Sequence, residues 1–320
     1  MSPRARQRAA ILLVLPALLS LLLFVTIPGE GLWHKVLLDA THGPIFATIA
    51  VLLLILQPAH ARDSTRSQVI AFAGAVALGG LIEILQTLGH RPGSWFDLMT
   101  DAAGAATGIA LWRLHRAWKA PTASTGGRAG PARALAVALA GITIVAWPPL
   151  QAAQAYARRA AEFPVIADFG SASDLSFVET QGSSASVVEL PAPWAQSPGE
   201  SALRIAYRDG GPRAVQIVEP SGDWSAYSTV AVDLTNPGDS ELRLTFRIFD
   251  ASHDMDYRDR FNLPVAVPPR TRTTVRVALA AVEAAPASRR MDLGRVADVM
   301  LFGQPGDGSG EFYVSRLWLE

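Results

Sequence analysis

Residues 9–27 read AAILLVLPALLSLLLFVTI, a stretch without a single charged residue, and this stretch decides the class of the protein. An α-helix needs roughly 17–25 mostly apolar residues to cross the hydrocarbon core of a bilayer. The basic segment MSPRARQR in front of it is also typical of a cleaved signal peptide. The apolar run is long for a signal peptide, and the TIPGEGLW segment at its end offers no A-x-A-like cleavage site. We therefore expect it to remain as a membrane anchor.

Four further apolar segments follow within the first 150 residues, and each is a candidate membrane-spanning helix. They cover residues 43–57, with an extension back towards Val36, and residues 68–88, 97–114 and 134–150. The sequence therefore predicts an α-helical transmembrane bundle of five spans. We divide this half of the chain into a four-helix membrane domain (1–118), a cytoplasmic linker (119–133), a fifth transmembrane helix (134–150) and a stalk of helix-forming composition (151–162).

The distribution of basic residues predicts the orientation of this bundle, because Lys and Arg are enriched in short cytoplasmic loops. They concentrate at the N-terminus, between the second and third spans, and between the fourth and fifth spans. The loops on the other side hold only Lys35 and Arg91. We therefore expect a multi-pass protein of the cytoplasmic (inner) membrane, with a cytoplasmic N-terminus and an extracytoplasmic C-terminal domain.

The overall composition excludes several classes of function. Lys and Arg together number 28, as do Asp and Glu, so the chain has no net charge that would attract nucleic acid. It contains no cysteine, which rules out disulfides, zinc-thiolate sites and cysteine nucleophiles. We predict no nucleic-acid partner, no metal site and no cofactor, although a structural calcium in the C-terminal domain stays open.

A group of polar and ionisable residues falls near the outer side of the predicted bundle, although such residues are costly inside a bilayer. They are Asp39, His42, Glu83, Gln86, Arg91, Asp97 and Asp101. One interpretation is an outward-facing polar pocket in which Glu83 and Asp97 or Asp101 are candidate catalytic residues. The other is a structural ion-pair network that fixes helix packing, with Asp97 capping its helix. Spacing alone favours neither interpretation.

The order of these residues resembles the VanZ-like membrane proteins over residues 38–112. The resemblance rests on Asp39-x-x-His42-x-x-x-Phe46, Glu83-x-x-Gln86, Arg91 and Asp97-x-x-x-Asp101-x-x-Gly104-x-x-x-Gly108. Two positions depart from the family pattern: Ala40 stands where the family usually has Lys, and Asp101 where it usually has Asn. The resemblance implies an envelope protein that contacts membrane lipid and a glycan or lipid-linked glycan. Because the family's namesake is an accessory protein of lipoglycopeptide resistance, it also implies an effect on glycopeptide susceptibility.

The C-terminal half, residues 163–320, has the pattern of a β domain. Apolar residues alternate with polar ones along several short runs, most clearly in ELRLTFRIFD at 241–250, and turn sequences such as Asn236-Pro237-Gly238 separate the runs. About eight strands without helical interruption predict an all-β antiparallel sandwich of the jelly-roll type.

The sequence of cues over residues 165–320 resembles the galactose-binding-like β-sandwiches that accompany carbohydrate-active enzymes. If the domain binds sugar, it needs aromatic rings for stacking and planar polar groups for hydroxyls. The candidates are Trp194, Trp224, Asp250, His253, Asp256, Tyr257 and Arg260. The alternative for Trp224 is a place in the core, and the spacing His253-x-Asp-x-Asp256 also suits a cation, although that spacing is common by chance.

Two functions follow from these patterns. The leading one is a binding or accessory protein of the cell envelope, with a carbohydrate-binding outer domain above a polar pocket. The alternative is a membrane-embedded enzyme that uses Glu83 with Asp97 or Asp101 as acid and base on a glycosidic or phosphoester bond. No nucleophile motif, metal cluster or phosphate-binding loop in the sequence supports the enzyme.

Overall fold

The computed structural model of the protein describes residues 3–24, 31–88, 95–119, 129–207, 213–303 and 310–320. Its contacts divide the chain into two compact units, Met1–Gln151 and Ala152–Glu320. The first is helical and the second is a β-sandwich, as the change in composition near residue 150 predicts.

The helical unit contains α1 (Pro3–Phe24), α2 (Leu32–Leu56), α3 (Thr65–Leu88), α4 (Trp95–Lys119) and most of α5 (Ala129–Glu162). Three of its helices are long and apolar enough to cross a membrane: α2, α3 and α5. The apolar part of α1 within the described residues is short, at Ala9–Ser20, and α4 carries Asp97 and Asp101 besides its basic last turn. Three of the five predicted spans are therefore confirmed by length and composition.

Glycines hold α2 and α4 close together. A Cβ atom built on Gly104 would lie 2.2 Å from the carbonyl oxygen of Gly43, and one built on Gly108 would lie 2.3 Å from that of Ala47. Because both obstacles are backbone atoms, neither can move aside without separating the helices. This is the small-residue packing expected of helices in a bilayer, where close backbone approach supplies van der Waals contact.

α5 is one helix that covers the end of the predicted linker (119–133), the predicted fifth span (134–150) and the predicted stalk of helix-forming composition (151–162). It begins at Ala129, continues through Pro148 and Pro149, and its last turns belong to the second unit. Nη1 of Arg159 donates to the carbonyl oxygens of Val218 and Glu219 at 2.9 and 2.7 Å. The helix end is therefore packed on the sandwich.

Two antiparallel sheets form the sandwich. The first sheet contains β1 (Val165–Ala167), β3 (Ser183–Glu189), β4 (Ser201–Tyr207), β6 (Thr229–Asn236), β9 (Thr271–Ala278) and β11 (Glu311–Leu319). The second contains β2 (Val178–Gln181), β5 (Arg213–Val218), β7 (Leu242–Asp250), β8 (Phe261–Val267) and β10 (Val296–Gly303). The strand order in the second sheet is β2-β5-β10-β7-β8, and a short helix, α6 (Leu279–Glu283), follows β9.

Buried side chains from both sheets form one core between them. Leu203, Val232 and Phe312 come from the first sheet, and Phe246 and Leu301 from the second. Each large apolar side chain removed from water in this way contributes about 1.5–3 kcal/mol. The alternation read from residues 241–250 is confirmed, because every second residue of β7 points into this core.

Candidate functional site

The outward side of the second sheet carries polar and aromatic side chains in adjacent strands. In β10, Val299 and Leu301 are buried, so Met300 and Phe302 point outward. Met300 lies opposite both Gln216 of β5 and Arg247 of β7, and Arg247 lies opposite Asn262 of β8. We call this surface, defined by Gln216, Arg247, Asn262, Met300 and Phe302, the arginine face.

The Arg247 guanidinium contacts three other members of this face. Its Nε donates to Oδ1 of Asn262 at 2.9 Å, and Nη1 lies 3.8 Å from the sulfur of Met300. The guanidinium carbon is 4.2 Å from the centroid of the Phe302 ring, which is cation–π geometry. Burial, together with the neighbouring charge of Arg260, lowers the pKa of Arg247.

The loop between β7 and β8 adds a second aromatic ring beside this face. Tyr257 is 65% exposed, and the guanidinium carbon of Arg260 lies 5.1 Å from its ring centroid. The two side chains border a groove of about 400 Å³, which Arg258, Asn262 and α6 also line. Nε of Arg260 is buried and has no hydrogen-bond partner in the part of the chain that the structure describes.

Two other predicted contacts, Asp250 and His253, are buried in a structural network. Arg289 donates Nη1 and Nη2 to the Asp250 carboxylate at 2.6 and 2.7 Å, and Nε and Nη2 to Asp259 at 2.6 and 2.8 Å. His253 Nδ1 lies 2.9 Å from the carbonyl oxygen of Asp259. The network stabilises the sandwich, and neither side chain reaches the surface, since Asp250 is 0% and His253 4% exposed. Nε2 of His253 is buried without a hydrogen-bond partner among the described residues. The prediction that Asp250 and His253 contact a glycan is corrected by this burial.

The Arg289 guanidinium sets the ionisation of both carboxylates. Its hydrogen bonds lower the pKa of Asp259 to about 2. Burial would raise the pKa of Asp250, but the bonds from Arg289 and from the backbone N–H of Asp292 outweigh it and the pKa is lowered. Sequence reading missed Arg289, which lies far along the chain from both partners.

The Arg289 network also bears on the prediction that this loop binds a cation. Possible ligand atoms of His253, Asp254 and Asp259 lie within 4.8 Å of one another. However, Arg289 binds both Asp259 oxygens, and Oδ2 also accepts the N–H of Asp254. Asp256 instead accepts the N–H of Arg258 at 2.8 Å. These groups are arranged for hydrogen bonds, and a cation would face the positive charge of Arg289.

The two predicted tryptophans lie elsewhere. Trp224 is 0% exposed and belongs to the core, so it cannot stack on a glycan, and the alternative interpretation was right. Trp194 packs near Tyr313 on the first sheet and lines a separate groove of about 720 Å³. Both arginines that line that groove are paired: Arg272 with Glu200 and Asp233 at 2.8 and 2.9 Å, and Arg270 with Asp239 at 2.6 Å.

The helical unit brings together part of the predicted polar pocket. Nδ1 of His42 and Oδ1 of Asp101 are 3.0 Å apart, and both residues are buried. A Cβ atom on Gly79 of α3 would lie 2.4 Å from Oδ2 of Asp101, so this glycine makes the space that the carboxylate fills. Sequence reading missed Gly79. The pair joins α2 to α4.

The remaining members of that group lie around the His42–Asp101 pair or outside the described residues. Glu83 is buried on α3, and both Glu83 and Asp97 lie close enough to His42 to act on its charge. The other two on these helices, Asp39 and Gln86, are partly buried. Arg91 falls outside the described residues.

The outward surfaces of the helices are apolar. Exposed side chains include Leu13, Ile70, Ile84, Leu139 and Ile142. Trp95 and Trp118 lie near the two ends of α4 and are 77% and 82% exposed. Tryptophan is enriched at the two membrane–water interfaces.

Comparison with solved structures returned proteins that are similar to the β half of the chain. The structure of an exo-β-agarase is 13% identical with a TM-score of 0.40, and the match covers 49% of this chain and 24% of the agarase. A family 11 carbohydrate-binding module from Clostridium thermocellum, in complex with a β-1,3-1,4-mixed-linked tetrasaccharide, is 16% identical with a TM-score of 0.36; the match covers 48% of this chain and 93% of the module. The chain therefore spans about a quarter of the agarase it matches. No family model and no curated protein matches the chain.

Proposed function

We propose that the protein is a membrane-anchored glycan-binding protein of the cell envelope, and that the arginine face with the adjoining Tyr257 and Arg260 is its binding surface. The observation that carries this proposal is the combination of the exposed Tyr257 ring and the partly exposed Phe302 ring with side-chain amides and guanidinium groups on one side of a sheet. Rings stack on the C–H faces of a sugar, and planar polar groups bind its hydroxyls.

The fold supports this assignment because it holds the surface rigid. Gln216, Arg247 and Met300 sit on three adjacent strands whose opposite sides are buried in the core. A surface built on strands loses little conformational freedom when a ligand binds, which favours affinity.

The membrane part of the proposal includes all five helices as spans. α4 has 25 residues, which at 1.5 Å per residue gives about 37 Å, enough to cross a bilayer. Asp101 is buried within the bundle, and the exposed Trp95 and Trp118 suit the two interfaces. Five spans put the two ends of the chain on opposite sides of the membrane, and the distribution of Lys and Arg puts the N-terminus in the cytoplasm. The sandwich is then extracytoplasmic, where envelope glycans and lipid-linked glycans are found. The VanZ-like resemblance and an effect on glycopeptide susceptibility stay predictions.

Binding is tested with the full chain in nanodiscs against a panel of envelope and plant-type oligosaccharides. We expect a ligand whose affinity falls about fivefold or more in Tyr257→Ala, since a stacked ring contributes about 1 kcal/mol. Met255→Ala is the matched control, because Met255 is 81% exposed on the same loop. Absence of binding to any glycan, or equal binding by both variants, would contradict the proposal.

Orientation is tested by labelling single cysteines with a membrane-impermeant maleimide, since the natural chain has none. In intact cells we expect Ser186→Cys, on β3, to be labelled and Ser64→Cys, between α2 and α3, to be protected until the cells are opened. The opposite pattern would mean that the bundle is inverted.

A further inference from the structure

We infer that the glycan bound at the arginine face is acidic, carrying carboxylate or phosphate groups, and that Arg247 and Arg260 read this charge. The inference rests on the proposed function and goes further by naming the class of ligand. It begins from two positive charges that lie near each other, Arg247 on β7 and Arg260 just before β8.

Arg247 and Arg260 lie close enough for their positive charges to oppose each other. Arg260 directly precedes β8 and is two residues from Asn262, the hydrogen-bond partner of Arg247. Both side chains are partly buried, which strengthens a repulsion that bulk water would screen. Such a pair costs folding free energy unless something on that surface offsets it.

No carboxylate offsets it within the described part of the chain. Neither Arg247, Arg260 nor the neighbouring Arg258 forms a salt bridge with a described residue. The nearby acids of the loop are used otherwise: Asp254 accepts the N–H of Asp256, and Asp256 accepts the N–H of Arg258.

The other partly buried arginines of the sandwich make a clear contrast. Arg272 is paired with two carboxylates, and Arg289 holds two more. Arg272 and Arg289 are thus neutralised by carboxylates, and Arg247 and Arg260 are not. Nε of Arg260 is buried with its hydrogen unbonded among the described residues, which adds an open donor.

An anionic sugar fits this set of donors. The guanidinium group matches the geometry of carboxylate and phosphate oxygens, with two parallel N–H donors. An anion placed between Arg247 and Arg260 removes their mutual repulsion, while Tyr257, which is 65% exposed, remains available for a sugar ring. A neutral glycan gains the stacking but leaves the charges opposed.

The test uses the full chain in nanodiscs of zwitterionic lipid, with pairs of probes that differ only in charge. One pair is an oligogalacturonate and its methyl ester, and the other is a phosphorylated oligomannose and its phosphatase-treated form. We expect at least one acidic probe to bind about tenfold or more tightly than its neutral partner, because hydrogen bonds to charged groups are the stronger ones. Which pair shows the preference identifies carboxylate or phosphate as the source of the charge. Raising the salt from about 0.05 to about 0.5 M weakens only the acidic probe.

Two variants assign the preference to these residues. In Arg247→Gln and Arg260→Gln the ratio of acidic to neutral affinity falls towards one, whereas Arg276→Gln on β9 of the first sheet leaves the ratio unchanged. A smaller folded fraction lowers the apparent affinity of both probes equally, so it leaves the ratio of acidic to neutral affinity unchanged. Arg247→Lys keeps the charge and retains part of the preference.

Three results would overturn the inference. If both members of each pair bind equally and Tyr257→Ala weakens both, the protein binds glycans but does not read charge. If no probe and no other glycan binds, the proposed function fails as well. If vesicles containing phosphatidylglycerol displace the acidic probes, the arginines recognise a lipid surface instead of a glycan.

Discussion

The two units of this protein differ in how their charged side chains are paired. In the helical unit, His42 and Asp101 are buried, are paired at 3.0 Å and fill a space prepared by Gly79. On the sandwich, Arg247 and Arg260 lie together at an accessible surface without a carboxylate partner among the described residues. A buried pair of opposite charges holds elements together, whereas two like charges at an accessible surface are free to bind something else. The comparison directs the search for a ligand to the sandwich.

The sandwich also contains a buried network that resembles the helical one in this respect. Arg289 holds Asp250 and Asp259 beneath the loop that carries Tyr257. Arg289 keeps the loop in place, whereas Arg247 and Arg260 lie at the surface beside it. If the comparison is correct, replacing Arg289 should lower the stability of the sandwich, and replacing Arg247 or Arg260 should weaken ligand binding.

Replacing Arg289 should have the largest effect. In Arg289→Met the carboxylate of Asp250, 1% exposed, loses its cation, and loss of one partner from a buried pair costs about 3–5 kcal/mol. We expect a lower midpoint of the sandwich transition in thermal unfolding of the full chain. Arg290→Met is the matched control, because Arg290 is the next residue along the chain, is 79% exposed, and forms its ion pair with Glu283 and not with the network. Equal stability of the two variants would show that the network does not hold the loop.

A methyl group at the α2–α4 contact should have the next largest effect. Gly104→Ala places a Cβ where the carbonyl oxygen of Gly43 lies, and overpacking of this kind costs about 1–3 kcal/mol. Gly80→Ala on α3 adds the same methyl group where no atom lies within 4 Å. Thermal unfolding in detergent should show a loss for the first variant only, with the sandwich transition unchanged. A loss of the same size in both would mean that the contact is not close.

The smallest expected effect is the response of the sandwich to acid. The pKa of Asp259 is about 2, below the roughly 3.9 of an aspartate in an unfolded chain. A lowered pKa adds stability that is fully present above the unfolded value and is lost as the pH falls through the folded one. We expect the unfolding temperature of the sandwich to fall between about pH 4 and pH 2. In Arg289→Met this fall should be shallower, and an unchanged slope would count against the assignment.

The sequence predicted the sheets better than the site. Alternation of apolar and polar residues identified β7, because the alternation extends over the whole strand. It missed β8, since Pro264 interrupts the run, and the structure places β8 at a sheet edge where a missing backbone N–H is tolerated. The helix-forming composition of residues 151–162 agrees with α5, which continues from the fifth predicted span to Glu162.

The site depends on which side chains meet across strands, and spacing along the chain does not give this. Tyr257 and Arg260 were candidates because they lie in one polar loop, and the structure brings them together. Arg247 and Phe302 were missed, although the alternation in 241–250 already put Arg247 on the outward side. Trp224 was misleading, because an aromatic residue beside a turn is compatible with the core as well as with a ligand.

The most direct test of this account compares glycan binding by two variants of the full chain. One, Arg247→Gln with Phe302→Ala, changes the arginine face, and the other, Asp101→Asn, changes the buried pair of the helices. The account predicts that the first loses binding of the best glycan found, while the second binds like the natural protein once its folded fraction is measured. Binding retained by the first variant and lost by a folded second one would place the ligand in the helical unit and contradict the account.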